Sequence, residues 1–168
     1  NKAYNLVGKT TLDSVYSRHV LDSIQLLNYI DKDVKESGSI LDFGAGAGIP
    51  SIMLAIMLPN VKITACERIG KKCQFLNQVR RELVLTNFTV INDDVREIKE
   101  SFDLITSQYG FEYSDMRATL EQLAKVCKAN AEMVFVIHHA DSVILKKNNS
   151  TKQCLTKVLS ENGLLSIL

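Results

Sequence analysis

A glycine-rich turn between a short strand and a short helix constrains this chain more than any other feature. Residues 40–43 form an apolar, strand-like run, and residues 50–58 form a nearly all-apolar helical segment, which we expect to be well buried. The turn between them has the pattern acid-x-G-x-G-x-G over residues 42–48. Glycines in such a unit let the backbone pass close to a ligand, and the helix start favours a polar or negative group. The pattern predicts a ligand-binding turn; the alternative is a tight turn packed on small residues.

Strand-like and helical segments alternate along the rest of the chain. Strands are predicted at residues 61–66, 89–91, 103–106 (with Phe102 before it) and 133–138. Helices are predicted at residues 71–83, with Leu83 among the side chains that face inward, and at 116–127. Helical spacing over residues 15–30, with Thr11 or Asp13 as a cap, predicts an N-terminal helix, and residues 151–159 and 164–168 suggest a last helix and strand. Strands separated by helices require crossover connections, so we predict an α/β fold with a doubly wound, mostly parallel sheet and N-terminal helices.

The length and composition indicate one globular domain. The chain has 168 residues, enough to bury one hydrophobic core. We expect a single domain over residues 1–168, with an N-terminal helical segment at 1–36 and an α/β core at 37–168. Because the chain begins at Asn1 and stops abruptly at Leu168, we also expect both termini to be trimmed. The longest apolar run, at residues 49–58, is too short to cross a membrane.

The cysteines and the net charge say less about function. The four cysteines form no C-x-x-C pair and no cysteine–histidine spacing typical of zinc, so we expect no metal and reduced thiols in a cytoplasmic protein. The net charge of +1 neither requires nor excludes a nucleic-acid partner.

The spacing of the glycines distinguishes two ligand classes. A dinucleotide fingerprint needs G-x-G-x-x-G, but its third glycine would fall on Ile49 or on Ser51. The observed pattern is typical of enzymes that bind S-adenosylmethionine, a ligand that has no pyrophosphate. We expect Asp42 to meet the ammonium group of that ligand, directly or through water. The cofactor turn would comprise Gly44, Ala45, Gly46, Gly48 and Ile49.

Acidic residues follow the next two predicted strands. Glu67 lies about twenty residues beyond the glycines, where an acid can accept hydrogen bonds from both ribose hydroxyls. Asp94, with Asp93 as the weaker candidate, is placed to bind the adenine amino group, while Val95 and Ile49 would sandwich the ring. The alternatives are a solvent-exposed loop acid for Glu67 and a turn rich in capping residues after the third strand.

Read with the N-terminal segment, these residues resemble the bacterial 16S ribosomal-RNA guanine-N7 methyltransferases, also called glucose-inhibited division protein B. The resemblance covers about the first 107 residues and rests on N-L-V at 5–7, R-H-V-L-D-S at 18–23, the glycine turn ending in proline at 50, K-K-C-Q-F-L at 71–76 and F-D-L-I-T-S at 102–107.

The resemblance implies a class I S-adenosylmethionine-dependent methyltransferase fold, which is Rossmann-like, with S-adenosyl-L-methionine as cofactor and small-subunit ribosomal RNA as partner. It implies that Gly44 and Ile49 line the cofactor site. By the same resemblance Val95 and Arg96 occupy the positions of backbone contact after the third strand. Gln108 occupies a further cofactor-side position after the fourth strand.

The methyl acceptor stays open at this point. The family has S-R-A where this chain has Ser107-Gln108-Tyr109, which favours a methyltransferase of the same fold that acts on a small molecule or a protein. A non-catalytic cofactor-binding relative is the third hypothesis. The RNA hypothesis predicts a continuous basic surface around the cofactor cleft and salt-sensitive binding. We assign no catalytic residue, because guanine N7 carries a free lone pair and needs no deprotonation.

Several polar and aromatic groups have a functional and a structural interpretation. His19, Asp22 and Ser23 share a helix face, either beside the active-site mouth or as a buried polar network. Phosphate contacts or a solvated helix face are the two interpretations of the basic residues Arg68, Lys71, Lys72, Arg80 and Arg81. Tyr109, Phe111 and Tyr113 either stack on a base or fill the core. His138 and His139 either contact substrate or simply pack; as neighbours in a predicted strand, they are expected to face opposite sides of the sheet.

Overall fold

The computed structural model describes residues 19–139 and 141–142. The helices are α1 (Leu21–Gln25), α2 (Lys32–Ser37), α3 (Ser51–Met57), α4 (Gly70–Glu82) and α5 (Met116–Leu123), and the strands are β1 (Ser39–Phe43), β2 (Lys62–Cys66), β3 (Phe88–Ile91), β4 (Phe102–Gln108) and β5 (Cys127–Val136). Short 3₁₀ turns cover Leu26–Tyr29, Val95–Glu97, Phe111–Tyr113 and Ala124–Val126. These elements all belong to a compact unit, Asn1–Val136; a second unit is Ile137–Leu168.

The five strands form one sheet in the order β3-β2-β1-β4-β5, and every neighbouring pair is parallel. The chain runs from β1 outward to β3 on one side and then from β4 to β5 on the other. The strand order therefore reverses next to β1, and open parallel sheets bind ligands at the carboxyl ends of strands at such a switch point. The predicted doubly wound α/β class is confirmed, and the sheet is parallel throughout its described strands.

Helices pack on both faces of the sheet because side chains alternate along each strand. On one face, Ile40 packs in a cluster with Leu54 of α3 and Leu76 of α4. On the opposite face, Leu41 packs in a second cluster with Leu123 of α5. This alternation decides which strand-end side chains lie beneath a helix.

Local capping explains where several helices begin and end. The Asp31 side chain accepts a hydrogen bond from the Asp33 amide at 2.8 Å, so a separate helix, α2, begins after it. Gly38 follows the end of α2, and its amide donates to the Val34 carbonyl oxygen at 2.9 Å. Asp115 accepts from the Ala118 amide at 3.1 Å and starts α5.

Four details of the predicted elements are wrong. The segment at 50–58 was expected to be well buried, but Ile56 and Met57 are about half exposed, since α3 packs through one side only. Leu83, predicted to face inward, is half exposed just past the end of α4. The helix predicted at 116–127 ends at Leu123, and β5 begins at Cys127. β5 ends at Val136, so the histidines at 138 and 139 follow the strand and the expectation of opposite strand faces fails.

Other predictions lie outside the described residues. These are the N-terminal cap at Thr11 or Asp13, the helix at 151–159 and the strand at 164–168. The division of the chain at residues 36 and 37 stays a prediction.

Candidate functional site

A cavity of about 610 Å³ lies at the carboxyl ends of the strands. Its walls come from the ends of β1 and β2, the loop after β3, the turn after β4 and the first turns of α5. Five of the predicted site residues line it: Gly44, Glu67, Asp94, Val95 and Arg96. The fold thus brings together residues from three separate strand ends, as the sequence pattern predicts.

The three glycines of the turn after β1 have different surroundings. Gly44, Gly46 and Gly48 have φ values of +67°, +54° and +81°, which L side chains rarely adopt. A Cβ on Gly44 would meet only the Cα of Gly110, at 4.0 Å, so Gly44 keeps an open wall of the cavity. A Cβ on Gly48 would lie 2.3 Å from Cδ1 of Ile52, so Gly48 is needed for helix packing.

Glu67 joins the glycine turn to the loop after β2. Its Oε2 accepts a hydrogen bond from the Gly46 amide at 2.9 Å, and its Oε1 accepts from the Ile69 amide at 2.8 Å. The residue is only 6% exposed, yet it lines the cavity. Each carboxylate oxygen has a further lone pair, so the oriented carboxylate can also accept hydrogen bonds from a ligand diol.

Asp94 ties the loops after β2 and β3 to each other. Its carboxylate lies 2.8 Å from Nε of Arg96 and 3.2 Å from a terminal guanidinium nitrogen of Arg68. Hydrogen bonding to Arg96 is the main reason that the pKa of Asp94 falls to about 2. Asn92, which the sequence reasoning missed, supports the same junction: its Nδ2 donates to the carbonyl oxygens of Glu67 and Arg68.

The cavity lining is acidic overall. It contains four carboxylate side chains and two guanidinium groups, from Glu67, Asp93, Asp94, Asp115, Arg68 and Arg96. The basic surface that the RNA hypothesis predicts around the cleft is therefore not formed by the lining residues. Asp115, which belongs to none of the predicted motifs, is part of the cavity lining because α5 begins beside the loop after β3. Exposed basic side chains lie on α4 instead, at Lys71, Arg80 and Arg81.

Six of the predicted site residues do not line the cavity: Asp42, Ala45, Gly46, Gly48, Ile49 and Gln108. Asp42 is fully buried, and its Oδ2 accepts a hydrogen bond from the Ser51 amide at 3.2 Å. Strand alternation puts Asp42 on the sheet face that α3 covers, so its carboxylate lies at the start of that helix. Ile49 is half-buried outside the lining, so of the two residues predicted to sandwich the adenine, only Val95 lines the cavity.

The buried Asp42 carboxyl makes stability depend on pH. Burial raises its pKa to about 7, and the charge of Glu67 adds a smaller upward contribution. The unfolded chain ionises this group near pH ~4, so between about pH 4 and pH 7 only the folded chain holds the proton. The free energy of unfolding is therefore expected to fall as pH rises through that window, by about 4 kcal/mol at most, and to level off above it.

Asp42→Asn tests this expectation because asparagine keeps an oxygen for the Ser51 amide and cannot ionise. Urea unfolding of both proteins over a pH series should show the fall in the parent chain and a much flatter profile in the variant. An equal fall in both proteins would show that another group causes it.

The polar residues of α1 anchor that helix to the end of β4. Ser23 is fully buried, and its hydroxyl lies 2.6 Å from the His19 carbonyl oxygen and 3.1 Å from Oε1 of Gln108. The Tyr109 hydroxyl donates to Oδ2 of Asp22 at 3.2 Å. None of these residues lines the cavity, so the geometry favours the buried polar network over the active-site mouth.

The aromatic residues after β4 separate into different roles. Tyr109 contacts Asp22, and Phe111 packs into the core cluster of β1 and β5. Tyr113 is exposed and lines the cavity. Core filling is therefore the role of Phe111, while Tyr113 faces the site.

Residues 19–139 and 141–142 contain neither a metal-ligand cluster nor a membrane-spanning helix. Within that part of the chain, no three His, Cys, Asp or Glu side chains are grouped to hold a metal ion. None of the helices described there has both the length and the apolar character needed to cross a membrane.

Comparison with known proteins gives one family. A sequence model of the family described as rRNA small subunit methyltransferase G matches residues 1–162, well past the motifs noted above. The ribosomal RNA small subunit methyltransferase G of Carboxydothermus hydrogenoformans is 34% identical over 160 residues, which are 91% of this chain and 66% of that protein. The protein of the same name from Pseudomonas entomophila is 43% identical over 99 residues, 59% of this chain and 44% of its own length.

A solved structure supports the fold. A SAM-dependent methyltransferase from Aquifex aeolicus superposes with a TM-score of 0.66 at 23% identity, over 80% of this chain and 73% of that one. This likeness confirms the class I methyltransferase fold. The chain spans about half the length of these curated relatives: 44% of the Pseudomonas entomophila protein and 50% of the protein of the same name from Pseudomonas putida.

Proposed function

The chain belongs to the rRNA small subunit methyltransferase G family, and on that premise we propose that it transfers a methyl group from S-adenosylmethionine to guanine N7 in small-subunit ribosomal RNA. The observation that carries the proposal is the shared cavity of Gly44 and Glu67 at the switch point of the sheet. Gly44 leaves room for a ligand against the backbone, and Glu67 supplies an oriented carboxylate beside that ligand.

The charge of the cavity fits S-adenosylmethionine better than a dinucleotide. That cofactor carries a positive sulfonium, a positive ammonium and one carboxylate, whereas NAD carries two phosphate charges. Four carboxylates against two guanidiniums favour the cationic ligand by simple electrostatics. The absence of a third fingerprint glycine at Ile49 or Ser51 agrees with this choice.

The lining residues have separate roles toward the adenosyl group. Glu67 would accept hydrogen bonds from the ribose hydroxyls while its backbone partners hold it in place. Val95 offers an apolar surface to the adenine. Each Asp94 oxygen already accepts two hydrogen bonds from Arg96 or Arg68, so Asp94 would bind the adenine amino group by giving up one of them. Asp42 would act indirectly, by holding the start of α3 through Ser51.

The cofactor would supply an already activated methyl group on its sulfonium. Guanine N7 attacks with its own lone pair, so the protein has no proton to remove and needs only to hold the two reactants in line and close together.

The exposed basic side chains on α4 are the proposed contacts to RNA phosphates. Lys71, Arg80 and Arg81 lie on the helix that follows the Glu67 loop, outside the acidic lining. Phosphate contacts outside the cavity would fix the position of the RNA without bringing the negative charge of the phosphates into the acidic lining. A ribosomal substrate also places the protein in the cytoplasm.

Transfer of labelled methyl groups tests the function directly. The purified chain, incubated with methyl-labelled S-adenosylmethionine and unmodified small ribosomal subunits or 16S RNA, is expected to label a guanine at N7. Transfer RNA and a mixture of small-molecule acceptors are the comparison substrates. Labelling of a small molecule or a protein in place of the ribosomal RNA would overturn the proposed acceptor, and no labelling at all would overturn the proposed activity.

A further inference from the structure

Tyr113 is the large aromatic side chain that the cavity exposes to solvent. It is 62% exposed and lines the cavity, whereas Phe43, the other aromatic residue of the lining, is 7% exposed. An aromatic ring that stays exposed in a ligand cavity offers a flat apolar surface to a planar group. Tyr113 lies outside the residues that we assign to the cofactor.

The turn that carries Tyr113 is anchored firmly. Phe111 stacks on Phe135 with ring centroids 4.6 Å apart and meets the edge of Phe43 at 6.3 Å. The Tyr113 amide donates to the Gly110 carbonyl oxygen at 3.2 Å, and the Ser114 hydroxyl donates to the Phe111 carbonyl oxygen at 2.7 Å. These contacts hold the backbone of Tyr113 at the cavity wall, so little ordering is needed before a ligand binds.

Bare backbone forms the cavity wall where the glycine turn meets the turn after β4. Gly44 and Gly110 approach each other closely, since a Cβ on Gly44 would lie 4.0 Å from the Cα of Gly110. Gly110 cannot gain a side chain easily, because its Cβ would lie 2.8 Å from Oγ of Ser107. The adenosyl residues Glu67 and Val95 follow β2 and β3. Tyr113 follows β4, on the opposite side of β1.

The charge of the lining limits how an RNA acceptor enters. Phosphate groups are repelled by the excess of carboxylates, so contact with RNA inside the cavity has to come from a neutral surface. Resting on the proposed function, we infer that Tyr113 stacks on the methyl-accepting base, an unpaired purine, and thereby selects a base that is turned out of its strand. Stacking on aromatic side chains is a common way for proteins to hold single-stranded bases.

Binding of a short single-stranded RNA tests the inference. The RNA contains one guanine, and a second RNA carries an abasic site in its place; affinity is measured by fluorescence anisotropy with saturating S-adenosylhomocysteine. Tyr113→Ala is expected to weaken binding of the guanine RNA by about 10-fold or more, and Tyr113→Phe is expected to bind like the parent chain. Tyr29→Ala is the matched control, because Tyr29 is 69% exposed and lies outside the cavity.

The abasic RNA and the cofactor provide the decisive comparisons. The effect of Tyr113→Ala should disappear with the abasic RNA, and the affinity for S-adenosylhomocysteine, measured by calorimetry, should change less than twofold. Weaker binding of S-adenosylhomocysteine in the alanine variant would overturn the inference and indicate that the ring packs on the adenine of the cofactor. Equal loss with both RNAs, or no loss with either, would also overturn it.

Failure of the inference is distinguishable from failure of the proposed function. A parent chain that methylates 16S RNA, together with a Tyr113→Ala variant that does so with the same KM for RNA, overturns only the stacking role. A parent chain that binds S-adenosylhomocysteine but neither binds nor methylates RNA overturns both.

Discussion

Glu67→Gln is expected to weaken the binding of S-adenosylmethionine by about 100-fold or more. In the carboxylate, both oxygens accept from backbone amides, Gly46 at 2.9 Å and Ile69 at 2.8 Å, and both can accept from the ribose hydroxyls. Glutamine places an amide nitrogen where one oxygen stood, so a donor faces a backbone donor and one acceptor is lost. Hydrogen bonds to a charged group contribute about 1.5–3 kcal/mol each, and the substitution affects both of those that the ribose hydroxyls would donate to Glu67.

Isothermal titration of the variant with S-adenosylmethionine measures this loss. Glu100→Gln is the matched control, because Glu100 is exposed and lies outside the cavity lining. Thermal melting of both variants without ligand verifies that they fold. An affinity of folded Glu67→Gln within threefold of the parent chain would contradict the assigned ribose contact.

Gly48→Ala is expected to lower the free energy of unfolding by about 2–5 kcal/mol, and Gly46→Ala by about 1–2 kcal/mol. Both positions have a positive φ, so both variants lose roughly 1–2 kcal/mol to the left-handed backbone conformation. The surroundings differ: a Cβ at position 48 would lie 2.3 Å from Cδ1 of Ile52 and 2.7 Å from Cδ2 of Leu76, whereas at position 46 its nearest neighbour is 3.7 Å away. The extra loss at position 48 is the cost of overpacking the core.

Urea denaturation of the parent chain and the two variants measures both free energies under one condition. Since the backbone cost is shared, the difference between the variants reports the steric overlap alone. Equal stabilities of the two variants would show that α3 can move away from the turn at little cost, and the assigned packing role of Gly48 would be wrong.

The fold could be read from the sequence because its signals are local. Each strand is a short apolar run, each connection contains a helical segment, and the switch point follows from that order. Exposure was harder to predict, because it depends on which helix reaches which face. Both Ile56 and Leu83 satisfy the apolar pattern, but Ile56 lies on the unpacked side of α3 and Leu83 lies just past the end of α4.

The candidate site was predictable where one segment carries the whole signal. The glycine turn and the acid after β2 were located by spacing alone, and both Gly44 and Glu67 line the cavity. Asp42 belongs to the same motif, but strand alternation turns it under α3, which the motif does not reveal. The contact between Ser23 and Gln108 joins residues 85 positions apart, so no local pattern could give it.

The net charge of the cavity lining could not be predicted from the sequence for the same reason. Asp94 and Asp115 come from different loops, and only the packing of α5 beside the loop after β3 puts both into one lining. The run of basic residues that begins at Arg68 looked continuous in the sequence. In the structure, Arg68 pairs with Asp94 at the cavity, while Arg80 and Arg81 lie at the other end of α4.

Calorimetric titration of the unsubstituted chain with S-adenosylmethionine, S-adenosylhomocysteine and NAD in parallel tests the central claim most directly. We predict saturable binding of the two adenosyl ligands at one site per chain, with no heat of binding from NAD. Binding of NAD alone, or of none of the three ligands, would contradict the assignment of this cavity to a methyltransferase cofactor.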